Sequence, residues 1–318
     1  MPILISRRAG LVLAGSAMLA AMSPALAQKE QRSTVPRQEA DDLQASIAKS
    51  NAYTGLMNRT LRAVQSWERY RSWVDMRRGP TGNERYITYG LYSLYDVTSE
   101  IAKAEQATDA QPRLPELDDT MRRYIAAYQR LAPLITRAER YYERKDYRDD
   151  GMAEGRSLHR EMVPAAEAFL EQRAALETHM RSFKGDLDQR ELAAIEAREG
   201  KSARWQIRNI MINARAVMDL MPSNDRPVVD MAAFDRAVAQ FSAAVREMDR
   251  FKETNPQGVS VMDSQASSWL GKIRDFRDKL ARSRGDVRRG GAGSDANWIV
   301  SSYNTMVTLS DSAMRMPR

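Results

Sequence analysis

Apolar residues recur along much of the chain at alternating intervals of four and three. The clearest run is Leu117, Met121, Tyr124, Tyr128, Leu131, Ile135, Ala138 and Tyr142. That spacing puts all eight side chains on one stripe of an α-helix. Pro133 lies inside the run and predicts a kink, because it lacks an N–H and its ring meets the carbonyl one turn back. Three further seams repeat the pattern: Phe234, Val238, Phe241, Val245, Met248; Ile207, Ile210, Ala214, Val217, Met221; and Gly90, Leu94, Val97, Ile101, Ala104. No run alternates apolar and polar residues, so no sheet is expected.

Turn-forming stretches punctuate these seams. "RRGPTGN" (77–83) separates a first helix from a second, and "TDAQPRLP" (108–115) ends the second. "PSNDRP" (222–227) and "ETNPQG" (253–258) bracket the Phe234 helix, and "SRGDVRRGGAGS" (283–294) precedes the last. Short connections between long amphipathic helices predict antiparallel neighbours. The expected fold is all-α: an elongated antiparallel bundle of seven or eight helices forming a single domain over 39–318. Residues 28–38, with Pro36 and no apolar period, read as a disordered leader.

The N-terminus has a different pattern. Arg7 and Arg8 precede an apolar run too short for a good membrane span, and Ala25-Leu26-Ala27 follows Pro24. This is the layout of a cleaved export signal, with Gln28 as the new N-terminus. Ser6-Arg7-Arg8-Ala9-Gly10-Leu11 resembles a twin-arginine signal, with Gly10 where phenylalanine is usual, so both that route and the Sec route stay open. The expected location is periplasmic or secreted. No later run is long enough to span a membrane.

Composition narrows the chemistry. The chain has no cysteine, which excludes disulfides, lipidation at a cysteine after the signal, and a closed cysteine zinc site. Its formal charge is +7, and the charges are interleaved along helix faces, the pattern of solvated helices laced with ion pairs. Nucleic acid is not an expected partner; an envelope protein or an anionic envelope polymer is. Arg284, Arg288 and Arg289 form a candidate patch for such a polymer. No cofactor motif is present. The 18 methionines include Met211, Met218 and Met221, whose helical spacing reads as core filling.

Two stretches could carry more. In "GPTGNE" (79–84), Thr81 and Glu84 have the spacing of a capping box, with no following lysine and no preceding strand to make a phosphate loop. "YYERKDYRDDGM" (141–152) packs four carboxylates and three tyrosines into twelve residues, with His159 nearby. Glu143, Asp146, Asp149 and Asp150 with His159 could bind a cation or exchange protons, although the oxygen-ligand order of a calcium loop is absent. His159 lies nine residues past Asp150, about 13–14 Å along a straight helix. The alternative is a helix end at Tyr147, with Asp149 or Asp150 capping the next helix. Trp67, Tyr70, Trp73, Tyr142 and the tyrosines at 86, 89, 92 and 95 form an aromatic concentration. It reads either as core shared by helices one to four or as a groove suited to sugar or peptide recognition. The candidate ligand or partner surface is therefore Asp146, Asp149, Asp150, His159, Glu143, Tyr142 and Trp73.

Residues 67–183 also resemble a known family. Trp73, Gly79-Pro80-Thr81-Gly82, Glu84, Leu117-Asp118, "LAPL" at 131–134, "YYERKDY" at 141–147, Asp150-Gly151-Met152 and His159 together resemble the YiiG-like family, domain of unknown function 3829. Residues 186–318 match only in helical character. The resemblance implies an exported bacterial helical protein of unassigned activity, and it supplies no catalytic residues. Several relatives look like lipoproteins; this chain departs from them in lacking the cysteine. The expected function is a non-catalytic binding or scaffolding protein of the cell envelope. The alternatives are a metal-dependent enzyme or metal-binding protein built on 143–150 with His159, and a binder of anionic envelope polymer.

Overall fold

A computed structural model describes residues 37–222, 227–256, 259–289 and 293–315. The signal-like residues 1–27 and most of the leader lie outside them, as do parts of the 222–227, 253–258 and 283–294 connections. Among the described residues there are eight α-helices: α1 (Arg37–Arg71), α2 (Thr98–Asp109), α3 (Pro115–Arg144), α4 (Ala153–Glu199), α5 (Ala203–Met218), α6 (Met231–Thr254), α7 (Ser260–Arg282) and α8 (Gly293–Arg315). The only β pairing among them is an isolated antiparallel bridge, Val228 to Asp286. No described helix is long and apolar enough to cross a membrane.

Two cores organise the helices. The first joins α1, α2, α3 and the first part of α4 around Tyr53, Leu56, Tyr70, Met121, Ile135 and Phe169. The second joins α5 to α8 around Ile210, Phe241, Met248, Trp269, Phe276 and Ile299. The stripes that predicted α3 and α6 are buried at every position. Pro133 leaves α3 an uninterrupted helix of 30 residues. Helix α4, 47 residues long, is fastened at its far end to α5: Asp188 pairs with Arg208 (2.7 Å) and with Arg215, and Trp205 Nε1–H donates to Glu196 (3.1 Å). Ser202 accepts the Trp205 N–H to cap α5, as Asp230 accepts from Ala233 to cap α6.

The expected second helix is the main departure. The Gly90 seam predicts a helix carrying Tyr86, Tyr89, Tyr92 and Tyr95; α2 instead starts only at Thr98. Glu84 does bond back to the Thr81 N–H (2.5 Å) and Gly82 N–H (2.9 Å), and Thr81 Oγ1 accepts from Asn83 (3.2 Å). These bonds close the glycine loop, but only one 3-10 turn, Ile87–Tyr89, follows. A helix here would carry Gly90 in its interior and be built largely of tyrosine, isoleucine, threonine and valine. Glycine weakens a helix, and the others favour extended backbone. Backbone carbonyls of Tyr89, Gly90, Tyr92, Ser93 and Asp96 instead accept from side chains of α1 and from Trp73 just past its end. At the leader boundary, Arg37 and Gln38 belong to the first turn of α1.

Candidate functional site

The acidic turn sits where α3 hands over to α4. Lys145 takes a left-handed conformation (φ 64°) to end α3, a 3-10 turn covers Asp146–Arg148, and Met152 (φ 70°) starts α4. Asp150 ties the junction: Oδ1 accepts from the Tyr141 hydroxyl and the Met152 N–H (2.8 Å each), and Oδ2 from the Glu154 N–H (2.9 Å). Those bonds, the Glu154 N–H foremost, hold its carboxyl below the usual range. Asp146 pairs with Arg144 at 2.8 Å, and Glu143 and Asp149 are exposed.

Beneath the turn is a buried aromatic cluster. The Tyr70 hydroxyl meets His159 Nδ1 at 3.0 Å, Trp73 packs edge-on to Tyr142 (centroids 5.0 Å apart), and Trp73 Nε1–H donates to the Gly90 carbonyl (3.0 Å). The glycine loop closes over it. Gly79 has φ +77°, and a Cβ there would lie 3.1 Å from the His159 ring, so backbone conformation and space both call for glycine. Burial pushes the Tyr70 and Tyr142 hydroxyls above the ordinary tyrosine value. The loop and the start of α4 thus share one end of the first core. The carboxylates of 143–150 are not among the partners of His159, which are Tyr70, the Met76 carbonyl, Arg160 and Asp75. Among the described residues no group of three His, Cys, Asp or Glu side chains is placed to hold a metal ion.

His159 predicts a pH dependence. Burial, followed by the Arg160 charge, lowers its pKa below 6.5, against the Met76 carbonyl and Asp75, which raise it. Below pH 6.5 the unfolded chain therefore binds more protons at this position than the folded chain, and stability falls with pH until the folded value is passed. Thermal unfolding at pH 7.5 and 5.5 should show a smaller loss on acidification for His159→Phe than for the native chain. An equal or larger loss contradicts the assignment.

The most organised exposed surface was not visible as such in the sequence. Residues 89–96 lie along α1 as a strap. Arg59, Arg62, Ser66, Arg69 and Trp73, spaced 3-4-3-4, reach the carbonyls of Asp96 (3.4 Å), Ser93 (3.2 Å), Tyr92 (3.0 Å), Tyr89 (2.7 Å) and Gly90 (3.0 Å). Ser66 Oγ also accepts the Tyr92 N–H at 3.1 Å. From Arg59 to Arg69 α1 advances about 15 Å, and the strap runs antiparallel beside it from Asp96 back to Tyr89. The bonded arginines stack on the strap's tyrosines. Arg59 lies over Tyr95 (4.6 Å), Arg62 over Tyr92 (4.0 Å) and Arg69 over Tyr92 (4.2 Å), while Tyr86 stacks on Tyr89 (5.0 Å).

Tyr86, Tyr89 and Tyr95 are 41–49 % exposed. Each arginine's Nε is bonded to the strap, and Arg62 Nη1 also donates to Gln65 Oε1 (3.3 Å). Bonds from Thr98 and, after them, the Arg59 charge hold the Asp96 carboxyl below its usual range, and none of the three arginines forms an ion pair within 4 Å among the described residues. Their outer edges therefore form a fixed row of donors. Two hollows flank this row. One, about 650 Å³, is lined by Arg62, Gln65, Glu68, Arg69, Ser72 and the strap tyrosines. The other, about 940 Å³, lies between α1 and α2, beside Ala48, Ala52, Gly55 and Tyr95. The signal that could have found the row is the match between tyrosines three apart and arginines on the preceding helix.

Two further features lie elsewhere. Lys49 and Asp118, both 2 % exposed, form an ion pair at 2.9 Å, and Tyr53 (2.6 Å) and the Leu114 N–H (2.9 Å) also donate to Asp118. The basic patch follows α7. Arg284 occupies the left-handed position of the helix end (φ 53°), and the Gly285 N–H bonds the Leu280 carbonyl at 2.8 Å, a Schellman ending. Arg289 pairs with Asp286 at 3.3 Å.

The family described as "Protein of unknown function (DUF3829)" matches residues 44–308, thus reaching into the C-terminal half. The uncharacterized protein YiiG of Escherichia coli (strain K12) is 28 % identical over 306 residues, covering 89 % of this chain and 83 % of YiiG. No solved structure matches. With a glycine loop, an acidic turn and a buried tyrosine–histidine cluster assembled at one end of its first core, and the family's match running from α1 into α8, the chain belongs to the DUF3829 family.

Proposed function

We propose that this chain is an exported, non-catalytic binding or scaffolding protein of the bacterial cell envelope, and that the strap face of α1 is its binding surface. The observation that carries the reading is the pinned arginine–tyrosine row. Its guanidinium groups are fixed before any ligand arrives, so little ordering is left to oppose binding. The signal-like residues 1–27 supply the route to the periplasm. The dispersal of Asp146, Asp149 and Asp150 into a surface ion pair, solvent and a helix-start tie favours binding over acid–base chemistry.

The test is fractionation followed by sedimentation. In a Gram-negative host the chain should appear in the periplasm with Gln28 as its first residue and sediment with isolated envelope material. A Tyr86→Ser, Tyr89→Ser variant removes two exposed rings without touching the bonds that pin the strap, and should sediment at least fivefold less. An unprocessed cytoplasmic chain, or a variant that sediments like the native, overturns the reading.

A further inference from the structure

We infer that the hollow beside the strap is a subsite for an acidic saccharide, a sugar bearing one carboxylate and several hydroxyls. The inference rests on the binding-surface reading above and names its ligand. Arg62 and Arg69 offer only donors, on planar forks suited to a carboxylate. Both are held by the strap: their Nε atoms bond the Ser93 and Tyr89 carbonyls, and the Tyr92 ring lies between them. Glu68 stands in the same hollow, exposed, with no ion-pair partner among the described residues. A carboxylate accepts and cannot donate, so it calls for hydroxyl or amide donors on the ligand. Gln65 accepts from Arg62 Nη1 (3.3 Å) and keeps its amide donors for a ligand, and Ser72 donates to the Arg69 carbonyl (2.6 Å) and keeps its oxygen as an acceptor.

This mixture discriminates among anions. A densely charged polymer such as polyphosphate would gain from Arg62 and Arg69 but be repelled by Glu68. An acidic peptide supplies carboxylates and one backbone N–H per residue, fewer donors for Glu68 and the tyrosine hydroxyls than the several hydroxyls of each sugar ring. A saccharide acid satisfies the donors with its carboxylate and the acceptors with its hydroxyls. At about 650 Å³ the hollow falls in the size range of small-molecule sites.

Titration calorimetry on the purified chain tests this with four probes: trigalacturonic acid, its neutral methyl ester, tripolyphosphate and triglutamate. The acid should bind best, and the ester about tenfold more weakly. Glu68→Gln keeps the shape of an exposed side chain, so the variant should melt with the native chain. It should bind the acid about fivefold more weakly, because a charged acceptor for hydroxyls is lost. Tighter binding of the acid by Glu68→Gln would show general polyanion attraction and overturn the inference. So would tripolyphosphate or triglutamate as the best probe, or no binding of the acid by the native chain. The same trisaccharide, added to the sedimentation assay, separates the two proposals. Sedimentation that it fails to compete sinks the saccharide while leaving the binding surface standing. Without sedimentation, the envelope reading falls and calorimetry alone decides the subsite.

Discussion

Replacing Asp118 with asparagine should cost the chain about 3–5 kcal/mol, because it leaves the Lys49 ammonium buried and uncompensated. Lys49 binds both carboxylate oxygens, at 2.9 and 3.0 Å, deep between α1 and α3. Two other groups, the Tyr53 hydroxyl and the Leu114 N–H, end on the same carboxylate. These two end on different oxygens, Oδ1 and Oδ2; an asparagine oxygen can accept from the Leu114 N–H while its amide donates to the Tyr53 oxygen, so the loss isolates the charge. For a chain of this size the melting midpoint should fall by roughly 10 °C. The pair Lys49→Met, Asp118→Asn should recover most of the loss, since removing both charges also removes their desolvation. Urea unfolding of the two chains measures this. A single-variant loss below about 1 kcal/mol would fit a surface pair and contradict the burial.

Gly285→Ala should destabilise the second core on the order of 3 kcal/mol, by two additive routes. Gly285 has φ +86°, where a side chain is strained, and a Cβ would stand 2.4 Å from the Val229 carbonyl oxygen. Neither contact can relax cheaply. The Val229 N–H bonds the Gly285 carbonyl (3.0 Å), and the Val287 N–H bonds that of Pro227 (3.0 Å), so this close approach ties the end of α7 to the segment before α6. Unfolding followed by tryptophan fluorescence, with Trp269 buried in this core, reads the effect. A change within about 0.5 kcal/mol would mean the two segments do not touch.

The helices that carry the cores were legible because their signal is local. The stripe from Leu117 to Tyr142 and the seam from Phe234 to Met248 state the buried face of α3 and α6 directly. What was not legible depends on partners far along the chain. Lys49 reads as an ordinary solvated lysine until Asp118, 69 positions away, is placed beside it. His159 reads as a possible ligand until Tyr70 and the glycine loop close over it. The strap failed for a sharper reason. Tyrosines three apart look helical; Gly90 and its β-favouring neighbours weaken that helix, and the α1 side chains that take up the strap's backbone groups replace it. Of the acidic stretch, the helix-start tie at Asp150 was readable from its position, while the ion pair of Asp146 and the exposure of Asp149 came only with the fold.

Helix α4 has one more consequence. Met180 is its last fully buried residue in the first core, Phe183 still packs half-buried against that core, and Asp188 is where α4 first pairs with α5, while Arg190 bonds back to Asp42 and Ser46 of α1. Each residue of an α-helix advances about 1.5 Å and turns about 100°. The number of residues between Met180 and Asp188 therefore fixes the azimuth at which one core is presented relative to the other. Gaining or losing a single residue there would swing α5 and its partners around the helix axis and take Phe183 or Arg190 out of register with the first core and with α1. Adding seven, close to two full turns, would nearly restore the original phase. The span is an angular gauge, constrained in length by the phase it sets and at Phe183 by the core it touches.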